Sequence, residues 1–119
     1  MEITHTESHS IYTIKLIGDI GPVEIKEIKT YCEPYFEKAK SNRTVSGAII
    51  DLTFVQMVQS IGIGYFCGQH IAFKKLKKRL ILANPNAKLY ACLKSMNLHE
   101  LLEIYPDKIS ALHDLIKPF

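Results

Sequence analysis

The sequence predicts an α/β domain: a mixed, partly parallel sheet of about five strands with about four helices packed on it. Three observations carry that expectation. Strand-like and helix-like stretches alternate along the chain. Gly47-Ala48-Ile49-Ile50-Asp51-Leu52 is a continuous apolar run closed by an acid, as in a central strand buried on both faces. Leu80-Ile81-Leu82-Ala83 is a second such run, stopped by Asn84-Pro85-Asn86.

The elements follow in order. Glu2 to Thr6 reads as a short strand and Glu7 to Ser10 as a turn. Ile11 to Ile17 alternates, with Tyr12, Ile14 and Leu16 on one face and Thr13 and Lys15 on the other, which predicts a half-buried strand. Gly18-Asp19-Ile20-Gly21-Pro22 ends it. A helix follows, with Val23, Ile28, Tyr31, Cys32, Tyr35, Phe36 and Ala39 as its apolar positions. Pro34 lies inside it and predicts a kink or break near Cys32.

After the strand over Val45 to Leu52, Thr53 to Gln59 reads as a loop plugged by Phe54, Val55, Met57 and Val58. A long helix is predicted from Ser60 to about Lys78. Leu89, Cys92, Leu93 and Met96 fit one helix face over Ala87 to Met96, with Asn97 as a left-handed cap. Leu102 to Tyr105 is a short strand. Asp107 caps a last helix that buries Ile109, Leu112 and Ile116.

Composition bounds the function. The chain has 119 residues and is 47% hydrophobic, so a single domain over 1–119 is expected. About two-thirds of its surface could be buried without metal or disulfide support. No apolar run reaches the ~18 residues of a membrane span. Met1 to His5 has neither a basic start nor an apolar stretch, so no signal peptide is expected. Cys32, Cys67 and Cys92 form no C-x-x-C pair and read as free thiols of a reducing, cytoplasmic compartment.

Fifteen basic residues against twelve acidic give a net charge of +3. Lys74, Lys75, Lys77, Lys78 and Arg79 sit within one hexapeptide, and without them the balance is −2. The excess is therefore local. It fits a solvated helix end, where cations complement the macrodipole, or else a nucleic-acid or anionic-membrane patch. No aromatic residue interleaves it to support nucleic-acid binding.

No catalytic set, cofactor motif or metal site is expected. G-x-S-x-G, H-E-x-x-H and the P-loop are missing from the sequence. His5 and His9 are four apart on a strand and turn, where that spacing does not make a shared metal site. His70 reads as a core histidine with its hydrogen bonds satisfied, and His99 and His113 as surface residues. Gly62-Ile63-Gly64-Tyr65-Phe66-Cys67-Gly68 is one residue too long for a dinucleotide fingerprint and does not directly follow a strand. A non-enzymatic binding domain remains.

The helix from Ser60 is the most informative segment. Advancing it ~100° per residue puts Ile63, Phe66, Cys67 and His70 on a core side flanked by Ile71 and Phe73. The opposite side carries Ile61, Gly64, Tyr65, Gly68, Ala72, Lys75 and Arg79. Two glycines there cost about 1 kcal/mol each against alanine. Close approach by another surface explains them, and that surface is either a neighbouring element of this chain or a partner. The expected partner face is Gln59, Ser60, Ile61, Gly64, Tyr65 and Gly68, extended by Lys75, with Ile61 and Tyr65 as raised apolar points.

At this helix the sequence resembles a known family. Asp51-Leu52-Thr53-Phe54-Val55 and Ser60-Ile61-Gly62-Ile63-Gly64 are similar to D-L-S-x-V-x-x-[IM]-D-S-[ST]-G-L-G of the STAS domain in bacterial anti-sigma factor antagonists. Gly18-Asp19-Ile20, Leu80 to Ala83, Met96-Asn97-Leu98 and Ser110-Ala111-Leu112 resemble further family segments in the right order. The resemblance implies binding to an anti-sigma factor that is also a serine kinase, in a partner-switching pathway that regulates transcription. That kinase phosphorylates the hydroxyl residue just before the glycine. Here that position is Ile61, which has no hydroxyl, and Gln59 replaces the preceding acid. Ser60 reads chiefly as a helix N-cap. Ser60 and Thr53 are left as weak phosphoacceptor candidates. The alternative that the resemblance supplies is an accessory STAS subunit of a membrane transport assembly.

Overall fold

A computed structural model describes residues 1–116 of the chain. Its order is β1 (Glu2–Ser8), β2 (Ile11–Ile17), α1 (Pro22–Ser41), β3 (Gly47–Phe54), α2 (Ser60–Lys75), β4 (Arg79–Ala83), α3 (Ala87–Ser95), α4 (Leu98–Leu101), β5 (Glu103–Tyr105) and α5 (Lys108–Ile116). The strands form one five-stranded sheet in sequence order. β1 runs antiparallel to β2, and β2 to β5 are parallel to one another. The predicted mixed α/β architecture is therefore present.

Residue alternation assigns the two faces. Tyr12, Ile14, Leu16, Ala48, Ile50, Leu52, Leu80 and Leu82 point into the larger core. Ile25, Ile28, Cys32, Phe36 and Ala39 of α1, Ile63, Phe66 and Phe73 of α2, and Leu89 and Leu93 of α3 cover them. Ile11, Ile49, Ile81 and Ala83 face the other way and, among the described residues, meet Ala111 and Leu115 of α5, edged by Leu112 and Tyr105. β2 is thus buried on both faces along most of its length, Thr13 included, and not half-buried as its alternation suggests.

Several local expectations change. β1 extends to Ser8, and the β1–β2 hairpin turns at His9 and Ser10, both with positive φ. Pro34 does not break α1, which runs unbroken to Ser41. Pro34 and Thr30, whose carbonyl loses its helical partner, both face solvent, where water can serve that oxygen. Val23 is exposed beside Pro22 at the start of α1. α2 stops at Lys75 because Lys77 adopts φ 58°. The Lys77 N–H donates to the Lys74 carbonyl and the Lys78 N–H to the Phe73 carbonyl, a Schellman ending with lysine where glycine is usual.

Asn97 is left-handed as expected, with φ 58°, but it also opens the short helix α4. Cys92 and Met96 are exposed, so α3 buries only Leu89 and Leu93. Asp107 caps α5 as predicted, its Oδ1 accepting from the Ser110 N–H at 2.6 Å. The phase of α5 differs from the prediction: Ala111 and Leu115 are buried, whereas Ile109 is 77% exposed and Ile116 also faces outward.

The predicted basic hexapeptide is divided by the end of α2. Arg79 begins β4, where its guanidinium meets Glu103 at 2.6 Å and Asp114 at 2.7 Å, joining β4, β5 and α5. Those hydrogen bonds, to Glu103 first, raise the Arg79 pKa further despite partial burial. Lys78 donates to the carbonyls of Ala39 and Asn42 at the end of α1. Lys74, Lys75 and Lys77 remain exposed.

Gly47 lets β3 and β4 close. A Cβ built there would lie 2.1 Å from the Arg79 carbonyl oxygen. Gly47→Ala is expected to destabilise the domain by about 3 kcal/mol, through overpacking against backbone. Urea denaturation checks this, with the midpoint lowered and the slope unchanged.

Candidate functional site

Three loops meet at the C-terminal edge of the parallel strands, the edge where open α/β sheets commonly place their sites. They are the segments after β2, β3 and β4. The Gly18 N–H donates to the Phe54 carbonyl at 3.1 Å, and the Ile20 N–H to the Met57 carbonyl at 2.9 Å. The Gln59 N–H returns to the Ile20 carbonyl at 2.8 Å. Asp19 Oδ1 accepts from the Met57 N–H at 3.2 Å. Asn86 fixes the third loop: its Oδ1 caps α3 at the Leu89 N–H, 2.7 Å, while its Nδ2 donates to the Gln56 carbonyl at 2.9 Å.

This pinned loop delivers the start of α2. Gln59 is the N-cap and makes no side-chain cap bond. Ser60 is the first helical residue, not the cap that its sequence position suggests. Gly62 is buried because its turn presses on the loop: a Cβ there would lie 2.7 Å from Val58 Cγ1 and 2.9 Å from Ile20 Cγ2. Gly64 and Gly68 are the opposite case. A Cβ on either would meet nothing within 4 Å. No neighbouring element of the described chain accounts for them, so the intramolecular explanation of these glycines fails.

The predicted partner face is only partly gathered. Gln59, Ser60, Ile61, Gly64, Gly68 and Lys75 are solvent-facing or half-exposed positions of α2 and its cap. Tyr65 is not a raised point. It is half-buried and packed against the larger core, in a groove between α1 and α2 with Phe36, Gly68 and Gln69. Burial pushes its phenol well above the usual range, and Lys29 Nζ lies 5.8 Å from its ring centre.

Two residues missed by sequence reasoning join the exposed end. Phe54 is 54% and Met57 50% exposed, although both were expected to plug the loop. Only Val55 and Val58 are buried there. Lys15 Nζ sits 4.5 Å from the Phe54 ring centre. With Ile61, 47% exposed, they make an apolar set at the loop and helix start. Alternation could not have placed Phe54 outward, since it shares its face of the strand with Leu52, which lies in the larger core. Thr53 is held: its hydroxyl donates to Asp51 Oδ1 at 2.5 Å and accepts from Asn84 Nδ2 at 3.1 Å.

Other candidates sort simply. The glycines of the G-x-G-x-x-x-G stretch lie within α2 and form no phosphate-cradling loop. His5 Nδ1 pairs with the Tyr31 hydroxyl and His9 Nδ1 with the Ser8 hydroxyl. His70 is buried as expected, but neither ring nitrogen has a hydrogen-bond partner among the described residues. His99 is half-buried and His113 exposed. Burial pushes the Cys32 thiol up to about 12, which leaves it inert, while Cys92 is exposed. No described helix is long and apolar enough to cross a membrane.

The sequence profile of the STAS domain matches residues 2–111. The chain belongs to the STAS domain family. Solved structures give the same fold. A putative anti-sigma factor antagonist from Thermotoga maritima superposes with a TM-score of 0.83 at 14% identity, covering 97% of this chain and 95% of that one. An anti-sigma factor antagonist from Mycobacterium paratuberculosis gives 0.84 at 13% identity, over 98% and 94% of the two chains. A sulfate transporter family protein from Wolinella succinogenes gives 0.74 at 14% identity, over 92% and 88%. No curated protein matches.

The glycines of this STAS domain separate packing from surface. Gly62→Ala should lower stability by about 2 kcal/mol through overpacking. Gly64→Ala should raise it by about 0.5–1 kcal/mol, the helix-propensity gain at a site with free space. Thermal unfolding of the two variants should shift the midpoint in opposite directions.

Proposed function

We propose that this STAS domain is a non-enzymatic, cytoplasmic docking module that binds an anti-sigma factor of the serine-kinase type. Its pathway is a bacterial partner switch controlling transcription. The observation that carries the reading is the surface around Ile61. There, exposed apolar side chains on a pinned loop adjoin a helix start with an unfilled glycine, as a preformed protein-binding patch requires. Gln59, Ser60, Ile61 and Gly64 form its centre, Phe54 and Met57 extend it, and Tyr65, Gly68 and Lys75 lie further along α2. Likeness to anti-sigma factor antagonists supports the class of partner.

The same patch argues against the usual switch. Phosphate on a docking face adds about −1.5 to −2 charge that a partner would have to desolvate. Ile61 cannot carry it, and the Thr53 hydroxyl is engaged by Asp51 and Asn84. On this reading the domain is a constitutive binder, or one regulated by other means, with the exposed Ser60 as the remaining acceptor to test. A second reading, an accessory subunit of a membrane transporter, is favoured by the likeness to the Wolinella protein. Co-purification with a transporter subunit instead of a kinase would select it.

Two measurements test the leading reading. Incubation with the host's anti-sigma factor kinase and ATP should leave the intact mass unchanged and the complex intact on size exclusion. A phosphate found on Ser60 or Thr53 would overturn constitutive binding. Ile61→Asp should weaken the complex by about tenfold or more while the thermal midpoint holds, because the residue is exposed. Tyr65→Glu is a poorer probe, since it would also disturb the α1–α2 packing.

A further inference from the structure

The outer edge of β1 is unpaired among the described residues, since β1 stands first in the sheet order. The opposite edge, β5, is only three residues long, whereas β1 runs for seven. Edge strands are ordinarily guarded by brevity, lysine, proline or a bulge. β1 reads Glu2-Ile3-Thr4-His5-Thr6-Glu7-Ser8, with neither lysine nor proline, and its register with β2 is unbroken.

We propose that β1 pairs antiparallel with β1 of a second copy, joining two sheets into one across a two-fold axis at His5. The register follows from the hairpin. The two-residue turn at His9 and Ser10 closes on Ser8 opposite Ile11, and the closing pair of such a turn is hydrogen-bonded. Alternation then points the backbone groups of Ser8, Thr6, Thr4 and Glu2 towards β2, and those of Ile3, His5 and Glu7 outward. Within the strand, one register matches all three outward residues to their own copy: Ile3 opposite Glu7, His5 opposite His5, and Glu7 opposite Ile3. It makes about six backbone hydrogen bonds, and a slip of two residues keeps only about four.

The side chains agree with this register. Ile3, His5 and Glu7 share the face covered by α1. Ile3 packs on the larger core, and the His5 ring stacks on Tyr35 with centres 4.1 Å apart. His5 Nδ1 also meets the Tyr31 hydroxyl at 2.6 Å, so the imidazole leans over α1 and leaves the axis clear. Beside Ile3 a groove of about 520 Å³ is lined by Met1, Lys26, Glu27, Thr30 and Tyr31. The pairing brings Glu7 of the second copy to that groove. Lys26 is exposed there, and neither it nor Glu7 has an ion pair among the described residues. Glu27, which would repel an incoming acid, is already bonded to the Met1 ammonium at 2.9 Å. The two-fold repeats the Glu7–Lys26 contact on each side of the axis. On the other face Thr4 meets Thr6, a favourable cross-strand pair. None of the proposed docking residues lies on β1 or lines this groove, so the pairing stands or falls independently of the docking reading.

Sedimentation equilibrium of the full chain should show monomer–dimer exchange with a Kd of about 10–100 μM. Glu7→Lys and Lys26→Glu should each weaken it about tenfold by setting like charges opposite, and the double reversal should restore it. Both residues are exposed, so the thermal midpoint should hold. With Cys92→Ser removing the exposed thiol, His5→Cys should form a disulfide-linked dimer under mild oxidation, because the two copies meet at a Cα separation of about 5.5 Å. Glu2→Cys should not, because its two copies lie about 20 Å apart along the strands. A chain that stays monomeric to about 1 mM, its edge open to a strand of another protein instead, overturns the proposal. So does a dimer that ignores the charge reversals, fails to cross-link through His5→Cys, or cross-links through Glu2→Cys.

Discussion

The two-sided burial of β3 is the constraint from which the rest of the domain follows. Its backbone pairs with β2 on one side and β4 on the other, and Gly47 to Leu52 are buried. A strand in that position needs cover above and below. On one face α1, α2 and α3 supply it. On the other, among the described residues, α5 supplies it with Ala111 and Leu115. The Arg79–Glu103–Asp114 network then fixes α5 against the edge of the sheet. The crossover helix α2 lies where β3 needs it, and its two ends emerge at opposite edges.

Those ends differ in chemistry. The N-terminal end is apolar and small, seated on a loop tied by Asp19, Ile20 and Asn86. The C-terminal end is basic and concave, with a buried imidazole in its wall. Neither set is explained by packing within the chain. Gly64 and Gly68 forgo helix propensity at positions with free space, and His70 forgoes its hydrogen bonds. Gly47 and Gly62 are explained fully by packing, since a Cβ at either collides with its neighbour. The glycines alone thus distinguish what folding demands from what it merely tolerates.

Most of the fold was legible because long-range period and strong stops agree. The runs at Ala48 to Leu52 and Leu80 to Ala83, the cap at Asp107 and the left-handed Asn97 all appear where the sequence puts them. The misses have local causes. Ile109, Leu112 and Ile116 fit a helical period as well as Ala111 and Leu115 do, and hydrophobicity favours the bulkier set. The sheet offers α5 a shallow seat beside Ala83, which a small residue fits better. Pro34 predicts a kink or break because it removes a donor, but that side of α1 faces water and the helix runs on. Lys77 hid the end of α2, because a lysine gives no signal for a left-handed turn. At the candidate site, Ile61 and the open glycines could be read from the helix period. The exposure of Phe54 and Met57 and the burial of Tyr65 could not, since they depend on where loops and α1 come to rest.

Asn86 gives the docking region a mechanical property. One amide group both starts α3 and holds the loop that precedes α2, through the Val55 and Gln56 carbonyls. The loop therefore cannot shift without also loosening the first turn of α3, where a lost cap is worth about 1 kcal/mol. The surface is stiff against small thermal displacements and meets its partner with little left to order. A push large enough to break the tie is transmitted to a second helix rather than absorbed locally. Stiffness and transmission come from the same side chain.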